Sequence, residues 1–167
     1  MEVGKGGVAG AYKWEILVVF RGASVLTLDA KGRMAMPAKY RDQLMVSCNG
    51  RLIITVDRDR CLLLYPLPAW EEIEFQLTQL PGLDQHVRRL LRNLMGSSEE
   101  LELDAQGRIR LPPALREFAN LEKRVALVGL GRKFELWNEE TWVEQRDAWF
   151  KDSESQELNA ALATLPL

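Results

Sequence analysis

The sequence contains one motif twice, and this repetition is the strongest constraint on its fold. Residues 28–41 read LDAKGRMAMPAKYR and residues 103–116 read LDAQGRIRLPPALR, and seven of the 14 aligned positions are identical. The offset of 75 residues exceeds the roughly 20–50 residues of a solenoid repeat. The repetition therefore predicts a pseudo-symmetric protein that presents the same loop twice. The identical pairs are Leu28/Leu103, Asp29/Asp104, Ala30/Ala105, Gly32/Gly107, Arg33/Arg108, Pro37/Pro112 and Arg41/Arg116.

Each copy of the motif predicts two short strands joined by a tight turn. Apolar residues before and after the turn recur at every second position, which is the period of a strand. Gly32 and Gly107 suit a turn position with a positive φ angle. The prolines that follow end the second strand and open a short helical turn, predicted to end near Leu44 and Phe118.

Downstream of the motif the two copies stay similar at an offset of 72 residues. Identical residues occupy five aligned positions: Val56/Val128, Arg60/Arg132, Leu64/Leu136, Trp70/Trp142 and Glu72/Glu144. Residues 52–56 and 61–65 predict a second hairpin around the polar turn DRDR. Residues 125–128 and 134–137 predict its counterpart. The sequence thus indicates a fold of class α+β in which each copy contributes two strand pairs.

Helical periodicity appears after each second hairpin. The first copy predicts one helix with Pro68 in its first turn and another capped by Asp84, whereas the second copy predicts one helix that starts near Asn138. The apolar stripes of these helices indicate packing, either within the chain or between subunits. The residues that mark the stripes include Trp70, Leu90 and Trp142.

The charge distribution argues against a polybasic surface. The formal net charge is −2, but residues 138–167 contain seven acidic and only two basic residues, so the rest of the chain carries +3. A modestly basic body with an acidic tail can bind phosphates only through a few well-placed residues or through many subunits together.

The pattern of reactive residues argues against an enzyme. The single histidine, His86, lies on a charged amphipathic helix, and no serine or cysteine stands near it in a catalytic motif. No pair or cluster has the spacing of metal ligands, and no glycine-rich loop has the spacing of a phosphate cradle. We therefore expect no catalysis, no metal and no cofactor.

Two further features of the sequence indicate the cellular compartment of the protein. Cys48 and Cys61 lack CxxC spacing and sit in apolar surroundings, which favours reduced, buried thiols. The longest early apolar run, residues 16–20, is too short for a signal peptide or a membrane span. We expect a cytoplasmic protein that does not enter the membrane.

The repeated turns are the candidate binding site. If alternation sends Met34 and its counterparts inward, the arginines next to them point outward. Each turn offers an aspartate and, four residues later, an arginine that can bind guanine or phosphate in a bidentate manner. A solvated turn whose aspartate and arginine pair with each other is the alternative, although duplication of Asp, Gly and Arg together favours a function. The candidate residues are Asp29, Lys31, Arg33, Asp104, Arg108 and Arg110.

Several motifs resemble one bacterial protein family. The duplicated LDxxGR, the run LYPLPAWE and the segment KFELW make residues 20–147 closely similar to the MraZ family, whose members contain two AbrB-like (SpoVT–AbrB) domains. The resemblance implies tandem repeats that form a swapped-hairpin β-barrel with flanking helices. Together with the composition, it predicts an N-terminal extension at 1–18, a first repeat at 20–95 with a helical hairpin, a second repeat at 98–150 and an acidic tail at 151–167. The extension is expected to be disordered because it is rich in glycine and has no periodic pattern.

The resemblance also implies a function. Similar proteins are transcriptional regulators that bind repeated boxes in double-stranded promoter DNA of the division and cell-wall gene cluster, including their own promoter. They form ring-shaped homo-oligomers of about eight subunits, and their DNA-contact signature DxxxR corresponds here to Asp29–Arg33 and Asp104–Arg108. The expected location is therefore the nucleoid. The alternative is a ring-forming protein whose tips bind another protein.

Overall fold

The computed structural model of the chain describes residues 19–152 and 156–166. The expected disorder of residues 1–18 therefore lies outside the described residues, as does part of the acidic tail. Eight strands run through the described ranges: β1 (Phe20–Thr27), β2 (Arg33–Ala35), β3 (Arg51–Val56), β4 (Leu62–Pro66), β5 (Glu99–Glu102), β6 (Arg108–Arg110), β7 (Arg124–Gly131) and β8 (Phe134–Asn138). Six helices accompany them: α1 (Ala38–Cys48), α2 (Leu67–Thr78), α3 (Gln85–Leu94), α4 (Pro113–Phe118), α5 (Glu139–Lys151) and α6 (Gln156–Leu162).

The strands form a six-stranded sheet and a separate two-stranded ribbon. The order in the sheet is β1-β7-β8-β4-β3-β5, with every pair antiparallel, and the ribbon consists of β2 and β6. When each strand is replaced by its counterpart in the other repeat (β1 and β5, β3 and β7, β4 and β8), the same order results, read from the opposite edge of the sheet. The sheet is therefore pseudo-two-fold symmetric, with its axis between β8 and β4, as the sequence repeat predicts.

Strand pairing corrects one local expectation. Strands do flank the two repeated turns, but β1 pairs with β7 and β2 pairs with β6, so each strand finds its partner in the other repeat. The second hairpins are confirmed, because β3 pairs with β4 and β7 pairs with β8. Local alternation identified the strands, whereas their partners depend on which apolar faces meet in the core.

The core lies between the sheet and the ribbon and draws on both repeats. Met34, Met36, Ile109 and Leu111 are all buried, as their alternation predicted, and they pack with Leu52 and other residues of the central strands. Phe20 and Phe134 stack at a ring-centroid distance of 4.2 Å in the same cluster. Because one cluster holds both repeats together, neither repeat has a complete core of its own.

The helices cover the outside of this core. The helix after Pro37 continues to Cys48, one turn beyond the predicted end near Leu44, and stops where Asn49 takes up the left-handed conformation with φ of 54°. The predicted end of α4 at Phe118 is confirmed. Asp84 caps α3 by accepting the backbone N–H groups of His86 and Val87, as expected.

The apolar stripes of the helices differ in burial. Trp70 on α2 is buried against Tyr65 and belongs to the intramolecular core. Trp142 on α5 packs on Trp137, whereas Leu90 on α3 is 41% exposed. The stripe residues Trp70 and Trp142 therefore pack within the chain, whereas Leu90 is not buried there.

The α+β class is confirmed by this arrangement. The sheet is open in the described residues, with β1 and β5 at its edges, so the closed barrel implied by the family resemblance is not seen there. None of the helices in the described ranges has the length and apolar character needed to cross a bilayer.

Candidate nucleic-acid interface

The first repeated turn is built around Asp29. Its backbone N–H donates to the carbonyl of Arg33 and its carbonyl accepts from Gly32, both at 3.0 Å, which closes a tight turn. Its carboxylate oxygen Oδ1 accepts the backbone N–H groups of Lys31 and Arg33 at 2.9 Å. The second oxygen, Oδ2, accepts from Nε of Arg33 at 2.6 Å. One side chain thus shapes the turn and holds the arginine.

The second turn repeats this geometry around Asp104. Its Oδ1 accepts the N–H groups of Gln106 at 2.8 Å and Arg108 at 2.9 Å, and its Oδ2 accepts from Nε of Arg108 at 3.0 Å. Gly32 and Gly107 both have φ of 75°, a left-handed value that favours glycine. The structure therefore brings together each Asp–Arg pair that the sequence predicted.

The carboxylates are held in the charged state. The pKa of Asp29 is lowered chiefly because the carboxylate accepts the N–H of Arg33, and the ion pair with the Arg33 side chain adds to this effect. The pKa of Asp104 is lowered for the same reason by Arg108 and Gln106. Among the residues that the structure describes, only Nε of each arginine is engaged, so the terminal nitrogens of the guanidinium groups are available there to a ligand.

The ribbon places the two arginines on one surface. Met34 pairs with Ile109 at its centre, and the flanking pairs are Arg33 with Arg110 and Ala35 with Arg108. Because the central pair is buried, the flanking side chains share the opposite, outward face. Arg110 is exposed there, and Lys31 is exposed at the first turn. We call this outward face, with its two turns, the tip surface.

Two arginines that were not among the predicted site residues border the tip surface. Arg116 lies over Gly32, where a Cβ atom would stand 2.6 Å from its guanidinium carbon, and Arg41 lies over Gly107 at 2.6 Å from its Cδ atom. Arg41 donates from Nε to the carbonyl of Met36, and Arg116 does the same to the carbonyl of Leu111. Their identity in the aligned repeats was the signal that could have found them.

Several other basic residues lie apart from this arrangement. Arg60 stacks over the ring of Phe118 at 4.7 Å, and Arg132 pairs with Glu72. The arginines of α3 are exposed along that helix, consistent with a solvated face. We assign six cations to the tip surface: Lys31, Arg33, Arg41, Arg108, Arg110 and Arg116.

One group elsewhere could hold a metal ion. Asp57, Cys61 and Glu135 place their ligand atoms within 4.8 Å of one another, a juxtaposition across strands that sequence spacing did not predict. Burial and the neighbouring carboxylates raise the pKa of the Cys61 thiol strongly. The His86 imidazole makes no hydrogen bond or ion pair within the described ranges, and nothing there joins it to a nucleophile.

A cavity of about 660 Å³ lies between α3 and the sheet. Its walls are largely apolar, and His86 and two arginines stand at its lining. It does not reach the tip surface. The tip surface is thus the site at which charged groups, backbone geometry and the sequence repeat coincide.

Comparison with known proteins gives the family. The family model described as "MraZ protein, putative antitoxin-like" matches residues 19–93 and again residues 94–164. A protein named "Transcriptional regulator MraZ" from Thioalkalivibrio sulfidiphilus (strain HL-EbGR7) is 59% identical over 150 residues, covering 89% of this chain and 100% of the relative. Proteins of the same name from Halorhodospira halophila and Pseudomonas aeruginosa (strain PAO1) are 52% and 53% identical, covering 89% and 78% of this chain and 95% and 87% of those relatives. The duplicated match and these identities show that the chain belongs to the MraZ family.

Proposed function

We propose that this protein is a transcriptional regulator that binds double-stranded promoter DNA through the tip surface. The observation that carries the proposal is the duplicated turn, in which Asp29 and Asp104 each hold an arginine at the rim of a rigid two-stranded ribbon. A two-stranded ribbon fits the major groove of B-DNA. The regulatory role is supported by the names of the relatives.

The geometry of each Asp–Arg pair suits recognition of a base or a phosphate. With Nε donated to the carboxylate, Arg33 and Arg108 present their terminal N–H groups in one orientation. An arginine already held by its own turn loses less conformational entropy on binding. Paired terminal N–H groups can donate to O6 and N7 of guanine or to two phosphate oxygens.

The number of cations supports a multi-subunit complex. The few basic side chains of one tip surface provide few phosphate contacts, and the affinity of one subunit is correspondingly low. Linking several subunits raises the effective concentration of each tip surface at neighbouring boxes. We therefore propose a homo-oligomer. The family resemblance implies that it is a ring of about eight subunits that contacts repeated promoter boxes of the division and cell-wall gene cluster.

The fold and location complete the proposal. The pairing of β1 with β7 and of β2 with β6 joins strands of different repeats. This pairing supports the swapped-hairpin arrangement of two AbrB-like repeats, at 20–95 and 98–150. We expect the protein in the cytoplasm, associated with the nucleoid. The proposed activity is binding, without catalysis and without a cofactor.

The test is a gel-shift of the pure protein against the promoter upstream of its own gene, in excess competitor DNA. An Arg33→Ala/Arg108→Ala variant is compared with Arg132→Ala, which removes an exposed arginine away from the tip surface. Specific binding that is lost only in the double variant would support the proposal. Specific binding retained by the double variant would contradict the role of the tips.

The same experiment separates DNA binding from a protein-binding role of the tips. Phosphate contacts make affinity fall steeply with salt. If the native protein shows no specific, salt-dependent shift, the tips do not bind DNA, and a protein partner becomes the leading explanation of the duplicated turns.

A further inference from the structure

The two turns agree in the residues that build them and differ in the residues around them. Position 31 of the first repeat corresponds to position 106 of the second, and position 35 corresponds to position 110. Lys31 corresponds to Gln106, and Arg110 corresponds to Ala35. The two-fold pattern of the tip surface is therefore broken in charge at two corresponding positions.

Because of the strand register, both differences in charge lie at the same end of the ribbon. Arg110 belongs to the second repeat, but it stands directly opposite Arg33, whereas Arg108 stands opposite Ala35. Side chains at opposite positions of an antiparallel pair have Cβ atoms about 4.5–5.5 Å apart. The substitutions at positions 31 and 110 thus both add positive charge next to the first turn.

The resulting ends differ by two charges. Lys31, Arg33 and Arg110 surround Asp29 at one end, which we call the basic end. At the other end, which we call the neutral end, Arg108 is matched by Asp104, and the corresponding neighbours are Gln106 and Ala35. Counting only these positions, the basic end carries +2 and the neutral end carries zero.

The basic end holds a like-charge pair that an anion would stabilise. Arginines directly opposite each other destabilise an antiparallel strand pair. Asp29 compensates Arg33, but Arg110 makes no ion pair with any residue in the described ranges. A phosphate placed between Arg33 and Arg110 would relieve this repulsion, and no such gain exists at the neutral end.

We infer that each subunit binds the duplex in one orientation, with the basic end making the stronger phosphate contacts and the neutral end the weaker. This inference rests on the proposed DNA binding and adds a polarity to it. A tip surface with two-fold symmetric charge would bind a box equally well in both directions. The phosphate backbone carries the same charge in both directions, so the unequal ends of the tip surface select one direction only on a box whose bases differ between its two ends. Such a box needs no two-fold symmetry of its own.

The first test compares matched variants on a fluorescent duplex of the promoter upstream of the gene. In the native protein, Arg33→Ala should weaken binding more than Arg108→Ala. The Lys31→Gln/Arg110→Ala background makes the basic end equivalent to the neutral end. In that background, Arg33→Ala and Arg108→Ala should lower the DNA affinity by the same factor. The slope of log affinity against log salt should also fall in that background by about 2 for each subunit that contacts the duplex, since each lost phosphate contact removes about 0.9.

A gain of charge provides the complementary control. Gln106→Lys/Ala35→Arg makes the neutral end equivalent to the basic end, and it should raise the affinity for DNA. In this background too, Arg33→Ala and Arg108→Ala should lower the affinity by the same factor. Equal losses from Arg33→Ala and Arg108→Ala in the native protein would overturn the inference.

The second test reads the orientation directly. Ala30 and Ala105 are exposed at equivalent positions of the two turns. Each is changed to cysteine in a Cys48→Ser background and labelled with a DNA-cleaving iron chelate, while Cys61 is fully buried. On a duplex with a single box, Ala30→Cys should cut at one end of the box and Ala105→Cys at the other.

The outcomes distinguish the inference from the proposed function. Specific binding in which both labels cut both ends equally would remove the polarity and leave the DNA-binding function intact. A native protein that binds no promoter duplex would overturn the function and the polarity together.

Discussion

Arg116 lies across Gly32, although the two residues belong to different repeats. A Cβ atom on the glycine would stand 2.6 Å from the guanidinium carbon, and Arg41 and Gly107 repeat this relationship. Each turn is therefore covered by an arginine from the opposite repeat. The conformation of a turn and the docking of the two repeats depend on each other.

We predict that Gly32→Ala destabilises the protein, because the backbone has φ of 75° and the new methyl group would displace Arg116. The left-handed conformation alone costs a non-glycine residue roughly 1–2 kcal/mol. Urea denaturation should show a loss of at least about this size. Gly82→Ala is the control, because nothing lies within 4 Å of its Cβ position. Equal stability of the two variants would contradict the proposed close approach.

Two substitutions of Asp29 should separate shaping of the turn from holding of the arginine. Asn keeps an oxygen that accepts the N–H groups of Lys31 and Arg33 but lacks the charge that holds Nε of Arg33. We expect Asp29→Asn to keep a melting temperature close to that of the native protein, because the hydrogen bonds that shape the turn remain, and to weaken DNA binding. Asp29→Ala should weaken DNA binding further and also lower the melting temperature. If Asp29→Asn bound promoter DNA as the native protein does, the carboxylate would have no role in orienting Arg33.

The two covering arginines should contribute to DNA binding although they lie outside the DxxxR signature. Arg41→Ala and Arg116→Ala each remove a cation beside a turn and a hydrogen bond to a backbone carbonyl. We expect each to lower promoter affinity in anisotropy titrations, with a salt slope reduced by up to about 1 for each subunit that contacts the DNA. Arg132→Ala, which breaks only an exposed ion pair, should leave the slope unchanged. Unchanged slopes in all three variants would exclude phosphate contacts by the covering arginines.

Stability should decline in alkaline solution because of Cys61. Burial, followed by the repulsion of Glu135 and Asp57, raises the pKa of this thiol strongly. The folded state therefore retains the proton, whereas the unfolded chain releases it above about pH 8.5. The contribution is complete below that pH and is lost as pH rises, with a limiting slope of about 1.4 kcal/mol per pH unit. Denaturation of the native protein and of Cys61→Ala between about pH 7 and about pH 10 should show the steeper decline in the native protein.

Local sequence signals predicted most of the secondary structure. The alternation around Met34 and Ile109 identified the two strands of the ribbon, and the glycines identified the turn that precedes each of these strands. Asp84 marked the start of α3 because its side chain can satisfy free N–H groups at a helix terminus. These features are set by backbone conformation within a few residues, which a single sequence records.

Strand partners and the open sheet could not be predicted in the same way. β1 and β2 look like a hairpin because only a turn separates them, yet both pair with the other repeat. Which pairing wins depends on burial of a shared core, and that is a property of the whole chain. The role of Arg41 and Arg116 was hidden for the same reason, since it exists only once the repeats have docked.

The strand order also decides when the chain can fold. Every pairing that joins the two copies connects residues far apart in sequence, as in the pair Phe20 and Gly131. A nascent polypeptide that has emerged only to residue 95 can close β3 on β4, but β1 and β2 still lack their partners. High contact order of this kind slows folding, because long loops must close before their contacts form. Translation must therefore deliver the second copy before the first can reach its native state, and a ribosome that stalls between them leaves unpaired strand edges exposed to aggregation.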